Sequence, residues 1–270
     1  DRRGEARTQG TLGRVAEKRG DFETAREYHQ ASLAVYRDIG DPRGEAGRLV
    51  ELGAVERKQS NFAEAREYHQ GGLDIYRRLG DRHGQAKSLG NLGSIAQMDC
   101  EFAAARERFQ RSLEIKRDLG DRHGQARSLG NLGLVADEVG RFGAAREYLG
   151  ECLDIFREVG DRHGEAKALY LLGLTTERAG DLDDAREYLR DGLELERELG
   201  DRRGEAKAVG MLGQVERAEG NLGAARERHE TALELYRDLD NPLAEAESLL
   251  NLGLVDLETD GGTGRALFED

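Results

Sequence analysis

Gly80-Asp81-Arg82-His83-Gly84-Gln85-Ala86-Lys87-Ser88-Leu89-Gly90-Asn91-Leu92-Gly93 returns from Gly120 to Gly133 with one change, Lys87 to Arg127. The copies are 40 residues apart, and the register runs the length of the chain. Gly13, Gly53, Gly93, Gly133, Gly173, Gly213 and Gly253 form one series; Ala25, Ala65, Ala105, Ala145, Ala185 and Ala225 form another. No insertion or deletion interrupts either. A fixed period in this range marks a stacked repeat, in which each unit buries its apolar face against its neighbours alone.

Each unit reads as two helices. In the unit from Asp81, that aspartate is an N-cap whose side chain accepts from orphan N–H groups. Ala86, Leu89, Leu92, Ile95 and Ala96 then fall at helical spacing and define helix A. The break at Asp99-Cys100-Glu101 ends it, and Phe102, Ala105, Phe109, Leu113 and Leu119 define helix B. Gly120 supplies a left-handed C-terminal residue before Asp121 caps the next unit. The two prolines, Pro42 and Pro242, each follow a unit boundary, where a first helical turn tolerates them. No strand-like alternation occurs. The units predicted are 1–40, 41–80, 81–120, 121–160, 161–200 and 201–240, with a partial seventh at 241–270, in one repeat domain. The start at Asp1 and the end soon after Gly261-Gly262-Thr263-Gly264 predict a segment of a longer protein.

Glycine inside helix A costs roughly 0.5–1 kcal/mol relative to alanine. Its return in seven units predicts that the missing side chain is used for packing. The expected partner is the recurring alanine of helix B, Ala25 and its equivalents.

Apolar residues make up 37% of the chain and charged residues 35%, a lean core that suits a thin array of helices. The net charge of −13 argues against nucleic acid or an anionic membrane as partner, since both need a basic footprint. No apolar run approaches a membrane span, and no signal peptide is visible. Cys100 and Cys152 have neither metal-ligand nor paired-redox spacing, which predicts two free thiols and a cytoplasmic location.

The pattern resembles the tetratricopeptide repeat. Leu92-Gly93 matches the family's Leu-Gly in helix A. Ala105, Phe109 and Ser112 match its small, aromatic and small positions in helix B. The family unit is usually 34 residues; the 40-residue unit resembles the Leu-Gly-Asn repeat subclass that includes Partner of Inscuteable, on Leu89-to-Gly93, Leu129-to-Gly133 and, in part, Asn251-Leu252-Gly253. Departures are the absence of any tryptophan, with Leu89 and its equivalents at that position, the absence of a closing proline, and His29, His69 and His229 at the helix B aromatic. The resemblance implies an all-α fold, a right-handed α-solenoid of stacked antiparallel helix pairs with about six and a half repeats.

In that family helix A lines a concave face that binds peptides. The family's register implies an early groove position at Arg7, Gly47, Lys87, Arg127, Lys167, Lys207 and Glu247, and a second, one turn later, at Thr11, Glu51, Asn91, Asn131, Leu171, Met211 and Asn251. Residues four apart share a helix face, so Lys87 pairs with Asn91 and Arg127 with Asn131. A cation grips a carboxylate, and an amide both donates to and accepts from a peptide backbone. Lys87, Arg127, Lys167 and Lys207 predict a basic groove on an acidic molecule; the alternative is ordinary solvated cations near helix starts. Tyr170, Leu171 and Leu174 interrupt the polar stripe, either as an anchor pocket for a partner side chain or as core.

His83, His123 and His163 form a ladder with equivalent atoms roughly 8–10 Å apart or more. Zinc needs its ligand nitrogens at about 2.0–2.1 Å, so the ladder cannot share one ion, and no metal is expected. Arg26-Glu27 and its repeats at 66, 106, 146, 186 and 226 predict solvated charge networks worth roughly 0–1 kcal/mol per pair. No nucleophile elbow, P-loop, dinucleotide fingerprint or metalloprotease motif occurs, which predicts a protein that is not an enzyme and holds no cofactor. The expected function is a protein-interaction scaffold that takes a peptide with acidic side chains or a free C-terminal carboxylate. Two alternatives are a sensor segment of a larger signalling protein and a scaffold that self-associates end to end.

Overall fold

The computed structural model describes the backbone of residues 1–266 and the side chains of residues 1–259; the last four residues of the partial seventh unit lie outside that range. Thirteen helices and no strand occur among the described residues. In chain order they are α1 (Arg2–Lys18), α2 (Phe22–Asp38), α3 (Pro42–Lys58), α4 (Phe62–Arg78), α5 (Arg82–Met98), α6 (Phe102–Asp118), α7 (Arg122–Glu138), α8 (Phe142–Val159), α9 (Arg162–Arg178), α10 (Leu182–Leu199), α11 (Arg202–Ala218), α12 (Leu222–Asp238) and α13 (Pro242–Ala266). Odd-numbered helices are helix A of each repeat and even-numbered ones helix B. The chain divides into two compact units, residues 1–135 and 136–270. Within each, consecutive helices pack side by side, an α-solenoid arrangement of antiparallel pairs.

The turns recur every 20 residues. At the end of α1, Gly20 N–H donates to the Glu17 carbonyl at 3.0 Å and Asp21 N–H to the Ala16 carbonyl at 3.0 Å. This paired closure needs a left-handed residue between them. Gly20 has φ +78°, and glycine fills the same place at most later turns. Ser60, Cys100 and Asp240 take it elsewhere with φ of 63°, 58° and 49°. The unit-boundary aspartates cap as expected, with Gly84 N–H donating to Asp81 Oδ1 at 2.9 Å and Gly164 N–H to Asp161 Oδ1 at the same distance.

Buried small residues bring the helices of each pair together, and a serine adds a hydrogen bond in the first and third pairs. Ala6 and Ala25 are completely buried, as are their equivalents Ala46 and Ala65. Ser32 Oγ donates to the Ala6 carbonyl at 2.7 Å, and Ser112 Oγ to the Ala86 carbonyl at 2.8 Å. The expectation that helix A glycine faces helix B alanine is corrected. A Cβ at Gly13 would stand 2.6 Å from the His29 ring, at Gly53 2.8 Å from the His69 ring, at Gly93 2.7 Å from the Phe109 ring and at Gly173 2.5 Å from Leu189. The glycine makes room for the large residue one turn beyond the alanine.

The recurring arginine of helix B forms the expected charge network, with partners in the following repeat. Arg26 reaches Glu56 at 2.8 Å, Arg66 reaches Asp99 at 2.7 Å and Arg146 reaches Asp181 at 2.6 Å. Arg186 likewise pairs with Glu219. Each tie joins one repeat to the next.

Candidate functional site

On helix A the side chains one turn apart at Lys87 and Asn91 stand outside the core that Leu89, Leu92 and Gly93 enter. Lys87 is exposed and Asn91 half-buried, and Arg127 and Asn131 repeat this pattern. Lys87, Asn91, Arg127 and Asn131 line one cavity of about 250 Å³. Lys167, Tyr170, Leu171 and Lys207 line another of about 500 Å³. Each cavity lies within one compact unit. The eight predicted residues therefore fall into two groups of four.

Electrostatics separates the cations. Lys87 donates to Glu51 at 3.1 Å, and that contact, with the lysine's charge, holds the Glu51 carboxyl below its usual range against the opposing effect of burial. Glu51 occupies the second groove position of the preceding repeat, so Lys87, the first of the expected row of cations, is paired there. No carboxylate pairs with Arg127, Lys167 or Lys207 among the described residues. The amides of Asn91 and Asn131 also have no hydrogen-bond partner among them. Met211, expected on the groove, is 6% exposed and belongs to the core. Tyr170 and Leu174 are partly buried against the core cluster of α10 and α11, whereas Tyr170 and Leu171 also line the larger cavity. Burial raises the Tyr170 phenol above its ordinary value.

Each cavity contains a residue that the sequence reading passed over. Near the end of helix B, Tyr36, Tyr76, Phe156 and Tyr236 occupy one register position. The rings of Tyr36, Tyr76 and Phe156 wedge beneath the first turn of the next helix A, with ring carbons 2.2, 2.4 and 2.5 Å from where a Cβ would stand on Gly44, Gly84 and Gly164. Lys116 and Glu196 replace the ring in the other two repeats. Lys116 enters the smaller cavity and donates to Ser128 Oγ at 2.8 Å. Burial, helped by the nearby Arg127 guanidinium, lowers its ammonium pKa to about 8. Glu196 enters the larger cavity, and burial followed by the neighbouring Asp201 carboxylate raises its pKa. The signal available in the sequence was the loss of an aromatic at a position that is otherwise regular.

His83, His123 and His163 are exposed. His163 comes together with Glu196 and Asp201 instead of with the other histidines, their ligand atoms all within 4.8 Å of one another. Neither Cys100, which is exposed, nor Cys152, which is buried, forms a disulfide. No described helix is long and apolar enough to cross a membrane.

Tetratricopeptide repeat models match residues 11–43, 45–118 and 124–198. The chain belongs to the tetratricopeptide repeat family, whose members are in general protein-interaction scaffolds. No curated protein sequence matches the chain. Among solved structures, the apo form of RapI superposes with a TM-score of 0.73 at 17% identity, covering 95% of this chain and 99% of that one. A Rap protein complexed with Competence and Sporulation Factor gives 0.68 at 17% identity, covering 93% of this chain and 75% of that one. A signal transduction ATPase with numerous domains and a tetratricopeptide repeat sensor, from Pyrococcus horikoshii, gives 0.80 at 18% identity, covering 97% of this chain and 41% of that one. At these identities the likeness is one of fold.

Proposed function

We propose that the chain captures a peptide on the helix A face, with an acidic side chain or C-terminal carboxylate held in the cavity of Lys116 and Arg127. The observation that carries this reading is that neither forms an ion pair among the described residues, Asp121 of the same cavity being held as the cap of Gly124 at 2.8 Å, beside the free amides of Asn91 and Asn131. A partly desolvated cation outside any ion pair gains most from an incoming carboxylate. Asn91 and Asn131 hold the peptide backbone, and Lys87 adds to the grip by releasing Glu51. Lys167 and Lys207 bind further acidic groups in the second cavity, with Tyr170 and Leu171 as an apolar wall. The Rap protein of similar fold, solved with Competence and Sporulation Factor, supports ligand capture by this architecture. The 40-residue unit and the Leu-Gly-Asn stretches support a place in the long-repeat subclass, and two cysteines outside any disulfide support a reducing compartment such as the cytoplasm. A fluorescently labelled set of acidic, neutral and basic peptides, each with free and amidated C-termini, tests the reading by anisotropy: acidic or free-carboxylate members bind, and amidated neutral ones do not.

Two other readings each have an observation in their favour. The chain spans 41% of the ATPase whose repeat segment is a sensor, which favours a regulatory segment of a larger protein. On α13, Leu243, Leu250 and Leu257 are 84%, 65% and 71% exposed, which favours end-to-end association. Sedimentation over a range of concentrations tests the latter; a mass that stays at one chain rules it out.

A further inference from the structure

The residues of one repeat boundary differ from their counterparts in a way that creates a donor set. At the first two boundaries the third residue of helix A's unit is an arginine that reaches the N-cap aspartate of the next unit. Arg3 pairs with Asp41 at 2.9 Å and Arg43 with Asp81 at 3.1 Å. An aromatic ring, Tyr36 or Tyr76, closes the space beneath. In the fifth repeat all the cationic and apolar parts of this arrangement are exchanged. His163 stands for the arginine, Glu196 for the ring, and Asp201 remains the cap.

The result is an imidazole and two carboxylates whose ligand atoms lie within 4.8 Å of one another. Neither carboxylate has an ion-pair partner among the described residues, unlike Asp41 and Asp81. Glu196 Oε2 is shielded from solvent and accepts no hydrogen bond. Its carboxyl carbon lies 2.2 Å from where a Cβ would stand on Gly204, so only glycine admits it against the turn. Asp201 is held in place by Arg203 N–H at 3.0 Å and Gly204 N–H at 2.9 Å, both donating to Oδ1. Two carboxylates brought together repel, which the Lys207 ammonium of the same cavity offsets only in part, and a buried acceptor without a donor is costly. A divalent cation relieves both at once.

We infer that His163, Glu196 and Asp201 form a binding site for one divalent transition-metal ion, with zinc the best match. One imidazole nitrogen and two carboxylate oxygens are a donor set that zinc accepts, and three protein ligands leave a fourth position open. Tetrahedral ligands at about 2.0–2.2 Å from zinc lie roughly 3.3 Å apart, so the donors close in by rotation about side-chain bonds. The open position faces the cavity of about 500 Å³ that also holds Lys167 and Lys207. A bound ion there adds a Lewis-acidic contact for an anionic group.

Isothermal titration of the untagged full chain with zinc chloride, in the absence of any peptide, tests this independently of the peptide reading. One saturable equivalent is expected. His163→Ala and Glu196→Gln each weaken it at least tenfold, and Glu196→Tyr, which restores the ring of the other boundaries, abolishes it while keeping the fold by circular dichroism. Cobalt(II) added in place of zinc gives a visible spectrum of low-symmetry nitrogen and oxygen coordination. Absence of saturable binding, affinity indifferent to His163→Ala and Glu196→Gln, or binding lost instead on Cys100→Ser overturns the site.

Discussion

Gly93 carries the packing argument at the scale of single residues. Its replacement by alanine gains about 0.5–1 kcal/mol of helix propensity but drives a methyl to 2.7 Å from the Phe109 ring. Overpacking costs typically about 1–3 kcal/mol, so Gly93→Ala is expected to lower stability in urea unfolding. Gly150 has no atom within 4 Å of its notional Cβ, and Gly150→Ala is expected to raise stability by roughly 0.5–1 kcal/mol. The buried histidines give a pH dependence. His29 is held by Glu17 at 3.0 Å. His69 and His229 have no partner at either ring nitrogen, and burial, with Arg57 and Arg217 adding repulsion, lowers each pKa from 6.5 to about 4. A depressed histidine binds its proton in the unfolded chain first. Its contribution is therefore fully present above pH 6.5 and lost as the pH falls from there toward 4, by up to about 1.4 kcal/mol per pH unit for each histidine. His69→Phe, copying the Phe109 solution, is expected to flatten that slope in unfolding curves taken from pH 7 to 4.

Elements in this chain are set by their ends. Seventeen residues and a three-residue turn recur at most steps, and the turn requires a left-handed residue at each. Cys100 holds φ 58°, a conformation that costs a non-glycine residue roughly 1–2 kcal/mol. Cys100→Gly is expected to raise the denaturation midpoint by an amount equivalent to about 1 kcal/mol. Helix boundaries, caps and the pairing of helices A and B were legible in the sequence because they rest on local rules that repeat. The partner of the helix A glycine was not, because it depends on which helix B side chain points inward across the pair, and Ala25 and His29 lie on the same face one turn apart. The charge network of the arginine ladder was legible, but its partners were not, because they lie across the repeat boundary: Arg26 reaches Glu56 in the next repeat.

For the molecule as a whole, regularity is the background against which its sites stand out. The eight groove residues were named from the family's register, and the structure groups them into two cavities. Lys116 and Glu196 were missed because they lie on helix B, at a position whose usual occupant is an interface ring. They decide the chemistry of the two cavities, one cationic and one with carboxylates beneath a basic rim. Because Lys116 has a pKa of about 8, affinity for an acidic peptide is expected to decline as the pH rises through that value, and Lys116→Met to remove this dependence while weakening binding. The most direct test of the peptide-capture claim is anisotropy of the acidic peptide set against the wild type and Arg127→Glu. Selection of acidic or free-carboxylate peptides by the wild type, with at least tenfold weaker binding by Arg127→Glu, is the predicted result. Equal affinities for both proteins, or a preference of the wild type for basic peptides, contradict it.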